Sequence, residues 1–394
     1  MRIRKKSALS AFYSFLFKFE VVNLIMALHN LKTGVLYKNP EPHIRSIHAY
    51  FPSVAVLESG EMLATIVLGE AFEAMNLCAH VARSVDGGGT WTLEGPIDSG
   101  TPGRLTSNSA RLSLLPDGRL VALVARFDRT EHPDEGLSNP DTIGFAPTDF
   151  LLYFSDDAGR SWDGPEKIST PFGDVPLEIC APVTPLKNGR CLIPTSTWNL
   201  WDDGSPYGFR MVVLVSDDGC RTWPDSVDVM VDPAGKTLFW ESKVVELPDS
   251  RLLTVVWKHD IGSGIDLPNH YSLSGDGGRS WSEPRTTGLM GQTPAPFVLD
   301  DGRVLCVYRR MDVPGLWANV SRIEGDEWIN EASEPLWGHT AGGLTGSSVN
   351  PVENFATLRF GAPCIAHLPN GTVFVAFWCY EDCISVIRWF KFTV

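Results

Sequence analysis

Carboxylate side chains recur where short apolar segments of the sequence begin or end. Asp128, Glu178, Glu241 and Glu381 all stand at such places. Hydrolysis of a glycosidic bond uses two carboxyl groups, one as general acid and the other as general base or nucleophile. Glu241 together with Asp128, Glu178 or Glu381 is therefore a candidate acid–base pair, and we take Glu241 and Asp128 as the first candidates.

Cationic and aromatic side chains occupy similar positions. Arginine binds a carboxylate through two parallel hydrogen bonds, and tryptophan offers a large flat ring, although such rings are just as typical of a core. The residues that we expect to bind substrate are Arg126, Glu178, Trp198, Lys258, His259, Arg309, Arg310 and Arg359. Carboxylates and cations that converge on one pocket would suit a polar, anionic sugar.

No motif for a bound cofactor accompanies these residues. The eight cysteines show no zinc-type spacing with one another or with histidines, and neither a phosphate-binding loop nor a nucleotide fingerprint occurs. We therefore expect a site made of protein side chains, with no metal and no cofactor.

A repeated eight-residue motif, S-x-D-x-G-x-[ST]-W, sets the framework for these side chains. It occurs at 84–91, 155–162 and 274–281, at 216–223 with Cys220 in the place of the glycine, and in a degenerate copy at 321–328. The aspartate can accept backbone hydrogen bonds in a tight turn, the glycine supplies a positive φ, and the tryptophan buries its ring. We interpret the motif as the fastening of a β-hairpin, and its period of several tens of residues indicates a repeat architecture.

A second repeat alternates with the first and consists of two apolar strands joined by a short turn. Its six copies lie at 51–67, 109–125, 181–196, 241–256, 294–308 and 362–377. Two strands per copy and a following hairpin give about four strands per unit, which predicts an all-β, six-bladed β-propeller. A strand near 34–37 would complete the last blade, beside 384–392, and remove an exposed sheet edge.

The propeller geometry explains how distant residues would meet. The first strand of each blade lines the central channel, so polar residues where first strands begin and second strands end share one face. Longer segments at 129–149, 199–209 and 259–270 follow second strands and would form the walls of that face.

The repeats resemble those of the sialidase (neuraminidase) superfamily, whose propellers contain turns of this pattern, called Asp-boxes or BNR repeats. The resemblance extends over residues 31–394 and implies a single propeller domain. In that superfamily the Asp-box lies at the blade periphery, which implies that the motif aspartates are structural. The resemblance also implies a catalytic set: three arginines for the substrate carboxylate, a tyrosine–glutamate nucleophile and an acid/base aspartate.

The chain departs from that set. Glu241 begins the stretch ESKVVEL, which matches the glutamate of the fourth blade. The first arginine is missing, because its stretch reads Tyr50-Phe51-Pro52, and Ala362 stands where the nucleophilic tyrosine would be. These differences argue against the usual retaining mechanism of sialidases.

The other members of the set have weaker counterparts. Lys258 takes the place of the second arginine, without its fork of donors. Arg309 or Arg310 is a loosely placed match for the third. Asp128 has no family motif around it and is assigned as acid/base only from its place on the face.

Three functional hypotheses follow. The first is a sialidase-like glycoside hydrolase, similar to exo-α-sialidases, that acts on a terminal acidic or deoxy sugar. The second is a non-catalytic glycan-binding propeller, because the nucleophile and part of the arginine triad are missing. The third is a polysaccharide lyase or related carbohydrate-active enzyme in which His259 or Tyr50 is the base.

Charge and cysteine content limit the partners and the compartment. The formal net charge of −14 argues against nucleic acid, and the first 30 residues make a poor membrane span because Lys18 and Glu20 interrupt their apolar stretch. Those residues resemble a signal peptide without a clean cleavage site. An upstream start before Met26 and an ordered helix are the alternatives. Scattered cysteines favour the cytoplasm weakly, secretion stays open, and the sequence gives no oligomeric state.

Overall fold

The computed structural model describes residues 28–346, 348 and 350–394. Residues 1–27, which make up most of the N-terminal extension discussed above, lie outside this described part, so the predictions for them stay predictions. Within it, no helix has the length and apolar character needed to cross a membrane.

The described chain is almost entirely antiparallel β-structure. Its first strands are β1 (His29–Tyr37), β2 (His48–Val56), β3 (Met62–Gly69), β4 (Cys78–Ser84), β5 (Thr92–Pro96), β6 (Thr106–Leu114), β7 (Leu120–Asp128), β8 (Ser138–Asn139), β9 (Gly144–Phe145), β10 (Thr148–Ser155) and β11 (Asp163–Lys167). The central strands are β12 (Thr184–Pro185), β13 (Cys191–Ser196), β14 (Arg210–Ser216), β15 (Asp225–Val231), β16 (Thr237–Glu246), β17 (Leu252–Asp260) and β18 (Ile265–Ser274). The last elements are β19 (Arg285–Val298), β20 (Val304–Arg310), β21 (Gly315–Glu324), β22 (Glu327–Trp337), helix α1 (Pro351–Phe355), β23 (Phe360–His367), β24 (Val373–Glu381) and β25 (Ile384–Thr393).

These strands form a β-propeller arrangement with four blades of four strands. The blades are β2-β3-β4-β5, β6-β7-β10-β11, β12-β13-β14-β15 and β23-β24-β25-β1. The remaining strands, β16 to β22, form one seven-stranded sheet. Its strand β19 pairs with β18 through its first residues, Arg285 to Met290, and with β20 through Gly291 to Val298.

The N-terminal strand closes the ring, as the sequence predicted. β1 pairs antiparallel with β25, with Gly34 opposite Trp389. The first and last strands of the described chain therefore share a sheet, and β1 covers the edge that β25 would otherwise expose. Around the axis, β2 packs against β6 and β23, and β19 packs against β16 and β23. We call these the inner strands.

The four repeated turns have the same hydrogen bonds. In the first, Asp86 Oδ1 accepts from the backbone N–H groups of Gly89 (2.8 Å) and Thr90 (2.9 Å), and Oδ2 accepts from the Thr90 hydroxyl (2.7 Å). Asp157, Asp218 and Asp276 repeat this pattern. Hydrogen bonds from Thr90 hold the pKa of Asp86 well below its usual range, so the turn keeps its charge at neutral pH.

The turns also connect neighbouring sheets. Arg83 donates to the carbonyl of Ala158 (2.9 Å), and Arg190 donates to that of Gly277 (3.0 Å). Gly88 has φ +82°, and a Cβ there would lie 2.7 Å from the Phe374 ring of the adjacent sheet. At this turn only glycine fits both the backbone conformation and the close approach to the neighbouring sheet. In the third turn Cys220 takes the equivalent place, with φ +72°.

Candidate functional site

A cavity of about 110 Å³ lies where the inner strands meet, and we call it the hub cavity. Aromatic rings from several strands and loops form most of its wall; they include Phe51, Phe72, Trp198, Trp240, Trp257 and Trp378. Five charged or ionisable groups face the same space: Glu73, Arg111, Glu178, Glu241 and Arg309. A few converging polar groups in an aromatic-lined cavity are typical of small-molecule sites.

Four inner strands share a backbone irregularity at this cavity. Phe51 (φ +49°), Glu241 (φ +56°), Thr293 (φ +51°) and Ala362 (φ +47°) have left-handed conformations, and the strand register shifts at each of them. All four residues line the hub cavity. Such bulges re-aim side chains, and left-handed non-glycine residues cluster at functional sites. The hub is therefore one of the regions where the fold accepts strain.

Two carboxyl groups meet at the hub. Glu178 Oε2 accepts a hydrogen bond from the backbone N–H of Glu241 (2.9 Å). Glu178 stands just before β12, where its own N–H bonds to the carbonyl of Ser196 (3.0 Å). Burial, followed by the nearby charge of Glu241, raises the pKa of Glu178 to about 8. At neutral pH Glu178 is therefore a carboxylic acid that can give up a proton.

Two buried guanidinium groups flank Glu241. Arg309 donates from Nε to the side-chain carbonyl of Gln292 (2.8 Å) and from Nη1 to the carbonyl of Phe360 (2.8 Å). Arg111 donates from Nη2 to the carbonyl of Ile179 (3.2 Å). Burial lowers the pKa of both guanidinium groups, that of Arg309 to about 10, and the charge of Glu241 opposes the shift at each. Both remain cationic at neutral pH.

Loops from three parts of the chain wall the mouth of the cavity. Leu137 donates its N–H to Glu73 Oε2 (2.7 Å), and Asn350 donates its side-chain amide to the carbonyl of Pro140 (2.9 Å). The side chain of Arg129 is fully buried and donates to the carbonyl of Glu73 (3.1 Å). The predicted wall 129–149 thus lies against the hub cavity, with contacts to the loops around residues 73 and 350.

Part of the predicted site is brought together here. Glu178, Glu241, Trp198 and Arg309 all line the hub cavity. The ring of Trp198 stacks on that of Trp240 at 4.6 Å with an angle of 9°. Trp198 is therefore a rigid wall of the site as well as a core residue.

Asp128 and Arg126 lie elsewhere. Both line a separate cavity formed by the second blade and the segments on either side of it, together with Arg104. Asp128 pairs with Arg104, and Arg126 makes two hydrogen bonds to the buried Asp98 (2.9 and 2.6 Å). The prediction that Asp128 shares a cavity with Glu241 does not agree with the structure. Asp128 and Arg126 are instead satisfied locally, by Arg104 and Asp98 in the loop that precedes β6.

Four more predicted binding residues lie outside the hub cavity. Arg310 forms a bidentate pair with Asp312 (2.7 and 2.8 Å). Lys258 Nζ lies 3.3 Å from a ring nitrogen of His270. Arg359 is exposed and its guanidinium covers the ring of Tyr380 at 5.2 Å. The fourth, His259, is buried and lines a neighbouring cavity.

Sequence reasoning missed the bulges and most of the aromatic wall. A signal for the bulges was present, because Phe51, Thr293 and Ala362 are each followed by a proline inside an otherwise apolar strand. Proline is tolerated within a sheet only at edges, at strand starts or at bulges. Nothing in the sequence marked Trp240 or Trp378 as cavity residues rather than core.

A metal site is not evident in the described part of the chain, since no group of three or more His, Cys, Asp and Glu side chains is placed to hold an ion. The charged groups of the hub interact with one another and with backbone groups.

Comparison with known proteins supports the fold. No family model and no curated protein sequence matches the chain. It is similar in structure to a protein of unknown function from Dyadobacter fermentans (22% identity, 94% of this chain and 100% of that one, TM-score 0.68). It also resembles the K499G mutant of the NanB sialidase of Streptococcus pneumoniae (13% identity, 93% of this chain and 70% of that one, TM-score 0.61). A third similar structure is the α-L-arabinanase of Penicillium chrysogenum complexed with arabinobiose (18% identity, 91% of this chain and 97% of that one, TM-score 0.62). The chain thus has the propeller fold found in sialidases and an arabinanase.

Proposed function

We propose that this protein is a sialidase-like glycoside hydrolase that acts on a terminal, acidic sugar bound in the hub cavity. The proposed architecture is one six-bladed propeller over residues 31–394. In it the seven-stranded sheet is two blades that share β19, an interpretation supported by the separate partners of its two halves.

The proximity of Glu178 and Glu241 is the observation on which the enzymatic proposal depends. One carboxyl is held protonated by burial and by the charge of the other, which is the division that acid–base catalysis of glycoside cleavage needs. Glu178 would protonate the leaving oxygen. Glu241 would act on the anomeric centre, either directly or through a water molecule. This pair replaces the pairing of Glu241 with Asp128, whose side chain lies in another cavity.

The charge balance of the hub favours an anionic sugar. With Glu178 neutral, Arg111 and Arg309 face the carboxyl groups of Glu241 and Glu73. The charge of Arg129 acts on Glu73, so three guanidinium groups stand against two carboxyl groups. The whole chain has a formal net charge of −14, so this positive excess is local. A substrate carboxylate would neutralise it and could use guanidinium donors that protein groups leave free. The arabinobiose complex of the similar arabinanase supports a carbohydrate ligand in general.

The test is hydrolysis of a panel of nitrophenyl glycosides and acidic oligosaccharides by wild type, Glu178→Gln and Glu241→Gln. We expect each variant to lose roughly 10²–10⁴-fold in turnover. Glu246→Gln is the matched control, since Glu246 ends the same strand as Glu241 but does not line the hub cavity. Full activity in both hub variants would remove the pair from the mechanism. Glycan binding without any product would favour the non-catalytic alternative.

A further inference from the structure

The third repeated turn differs from the other three at its fifth residue. The turns at 84–91, 155–162 and 274–281 have a glycine there, with φ between +79° and +84°, whereas the turn at 216–223 has Cys220 with φ +72°. A left-handed backbone is unfavourable for a residue with a β-carbon, so glycine would be less strained at this place. A side chain that occupies a strained position in this way calls for a role.

The hydrogen bonds of the turn determine what faces Cys220. Its backbone N–H donates to the Ser216 hydroxyl (3.1 Å), as the corresponding glycines donate to the first serine of their own turns (2.8–2.9 Å). Ser216 lies opposite Cys191, the first residue of β13. The turn therefore places the β-carbon of Cys220 next to the side chain of Cys191.

The other three turns have a large apolar side chain in the place of Cys191. A Cβ added to their glycines would lie 3.2–3.4 Å from the residue opposite the serine, which is Met62, Leu120 or Leu252. A glycine and a large apolar residue thus face each other in three turns, and two cysteines face each other in the third. The cysteines occur as a pair, in positions distant in sequence and adjacent in the fold.

The preceding blade has a smaller residue beside this pair. In the other three turns, a Cβ on the glycine would lie 3.2 Å or less from the second residue of a strand in the preceding sheet: Phe374, Leu63 or Leu192. The same strand position before the third turn is Val121, in β7. Val121, Cys191 and Cys220 are buried in one apolar cluster. The shorter side chain of Val121 leaves space for the β-carbon and sulfur of Cys220.

The two thiols are in contact. Both cysteines are free and buried, and a side-chain hydrogen bond joins Cys191 to Cys220. A disulfide needs β-carbons about 3.5–4.5 Å apart, with the two side chains directed towards each other. The contact between the thiols shows that Cys191 and Cys220 have the required direction.

We propose that Cys191 and Cys220 are a disulfide site, which is oxidised by a small disulfide such as glutathione disulfide and fastens the third turn to β13. The Cys191 thiolate attacks one sulfur of the small disulfide, breaks its S–S bond and releases one thiolate. The Cys220 thiolate then attacks the Cys191 sulfur of the mixed disulfide and releases the second thiolate. The two cysteines are oxidised, the small disulfide is reduced, and the two cysteine protons pass to the released thiolates.

The surroundings of the pair determine how the bond forms. The hydrogen bond from Cys220 lowers the pKa of Cys191, which makes Cys191 the first nucleophile. A small disulfide does not reach buried thiols, so the reaction takes place while the chain folds or when the turn opens. The bond closes a loop of about 30 residues, from 191 to 220. It should raise the midpoint of thermal unfolding by roughly 4 °C in a protein of this length.

The experiment is peptide mapping of the full chain after refolding in reduced and oxidised glutathione, with the remaining thiols alkylated by iodoacetamide in denaturant. Trypsin cleaves after Arg190, Arg210 and Arg221, so Cys191 and Cys220 fall in separate peptides, 191–210 and 211–221, each with one cysteine. We expect mass spectrometry to find the two peptides joined until a reductant is added. Chain purified without unfolding and kept in the same buffer should acquire the link more slowly.

The matched control is the double variant Cys191→Leu with Cys220→Gly, which rebuilds the leucine–glycine pair of the second and fourth turns. Its unfolding midpoint should be the same with and without reductant, whereas that of oxidised wild type should fall by roughly 4 °C on reduction. Two alkylated peptides after both treatments would overturn the proposal, as would a link from either cysteine to another one. An equal fall in the double variant would assign the stabilisation to other cysteines and overturn the fastening role.

Discussion

Replacing Glu178 with glutamine should make the protein more stable at alkaline pH. Glutamine keeps a side-chain oxygen that can accept from the N–H of Glu241, a bond of 2.9 Å in the wild type, and it removes only the ionisation. Burial and the charge of Glu241 raise the pKa of Glu178 from 4.5 to about 8. The folded state therefore binds this proton more tightly than the unfolded state does.

The sign and size of the effect follow from that difference. Below pH 4.5 the carboxyl is protonated in both states, and its contribution to stability is fully present. As the pH rises towards 8 the unfolded chain releases the proton first, and each pH unit lowers the free energy of unfolding by about 1.4 kcal/mol. Over the whole window wild type should lose about 5 kcal/mol relative to Glu178→Gln, a large part of a typical total of about 5–15 kcal/mol.

Urea unfolding of wild type and Glu178→Gln at pH 4.5, 6.5 and 8.5 measures the difference directly. Glu246→Gln is the control for the exchange of a carboxyl for an amide. Its free energy of unfolding should show the same pH dependence as that of wild type. A difference between wild type and Glu178→Gln that stays constant across these pH values would refute the reasoning, because it would mean that Glu178 titrates alike in both states.

Two further substitutions test the assignment of the site. Arg309→Lys removes the guanidinium fork, which is held in place by its bond to the carbonyl of Phe360 and is proposed to bind the substrate carboxylate. Affinity for N-acetylneuraminic acid should therefore fall roughly 10–100-fold, and affinity for its neutral methyl ester much less. Equal losses for the two ligands in calorimetry would contradict an anion-binding role. Asp128→Asn should keep turnover within about twofold, because Asp128 lies in another cavity. It should lower the free energy of unfolding by only about 0–1 kcal/mol, because its partner Arg104 is half-exposed. A loss of turnover as large as that of Glu178→Gln would contradict this placement.

The sequence predicted the hairpins and the closure of the ring because local chemistry dictates them. The turn around Asp86 is determined by its own eight residues, and the alternating apolar strands leave little choice of register. Strand β1 was predicted from the single fact that the last repeat lacked a fourth strand. Each of these inferences uses residues close in sequence or a simple count of strands.

Side-chain direction at the hub was much harder to predict. Asp128 and Glu241 both stand at the ends of strand segments, but β6 and β7 pair without a bulge up to Asp128, whose side chain finds Arg104. Glu241 sits on a bulge that turns it towards the axis. Glu178 lies in an irregular segment before β12, where no period applies. Prediction fails where one residue changes the register, because every later side chain then changes face.

The unfavourable features of the hub and the repeated turns at the periphery have complementary roles. The hub combines a carboxyl held neutral with four left-handed non-glycine residues, each of which costs roughly 1–3 kcal/mol. Such features persist only where the surrounding structure determines the backbone strongly. The repeated turns supply that constraint, because Arg83 and Arg190 each bond to a turn carbonyl of the adjacent sheet. A propeller whose neighbouring sheets are also fastened by hydrogen bonds from the repeated turns can accommodate a strained, charged centre.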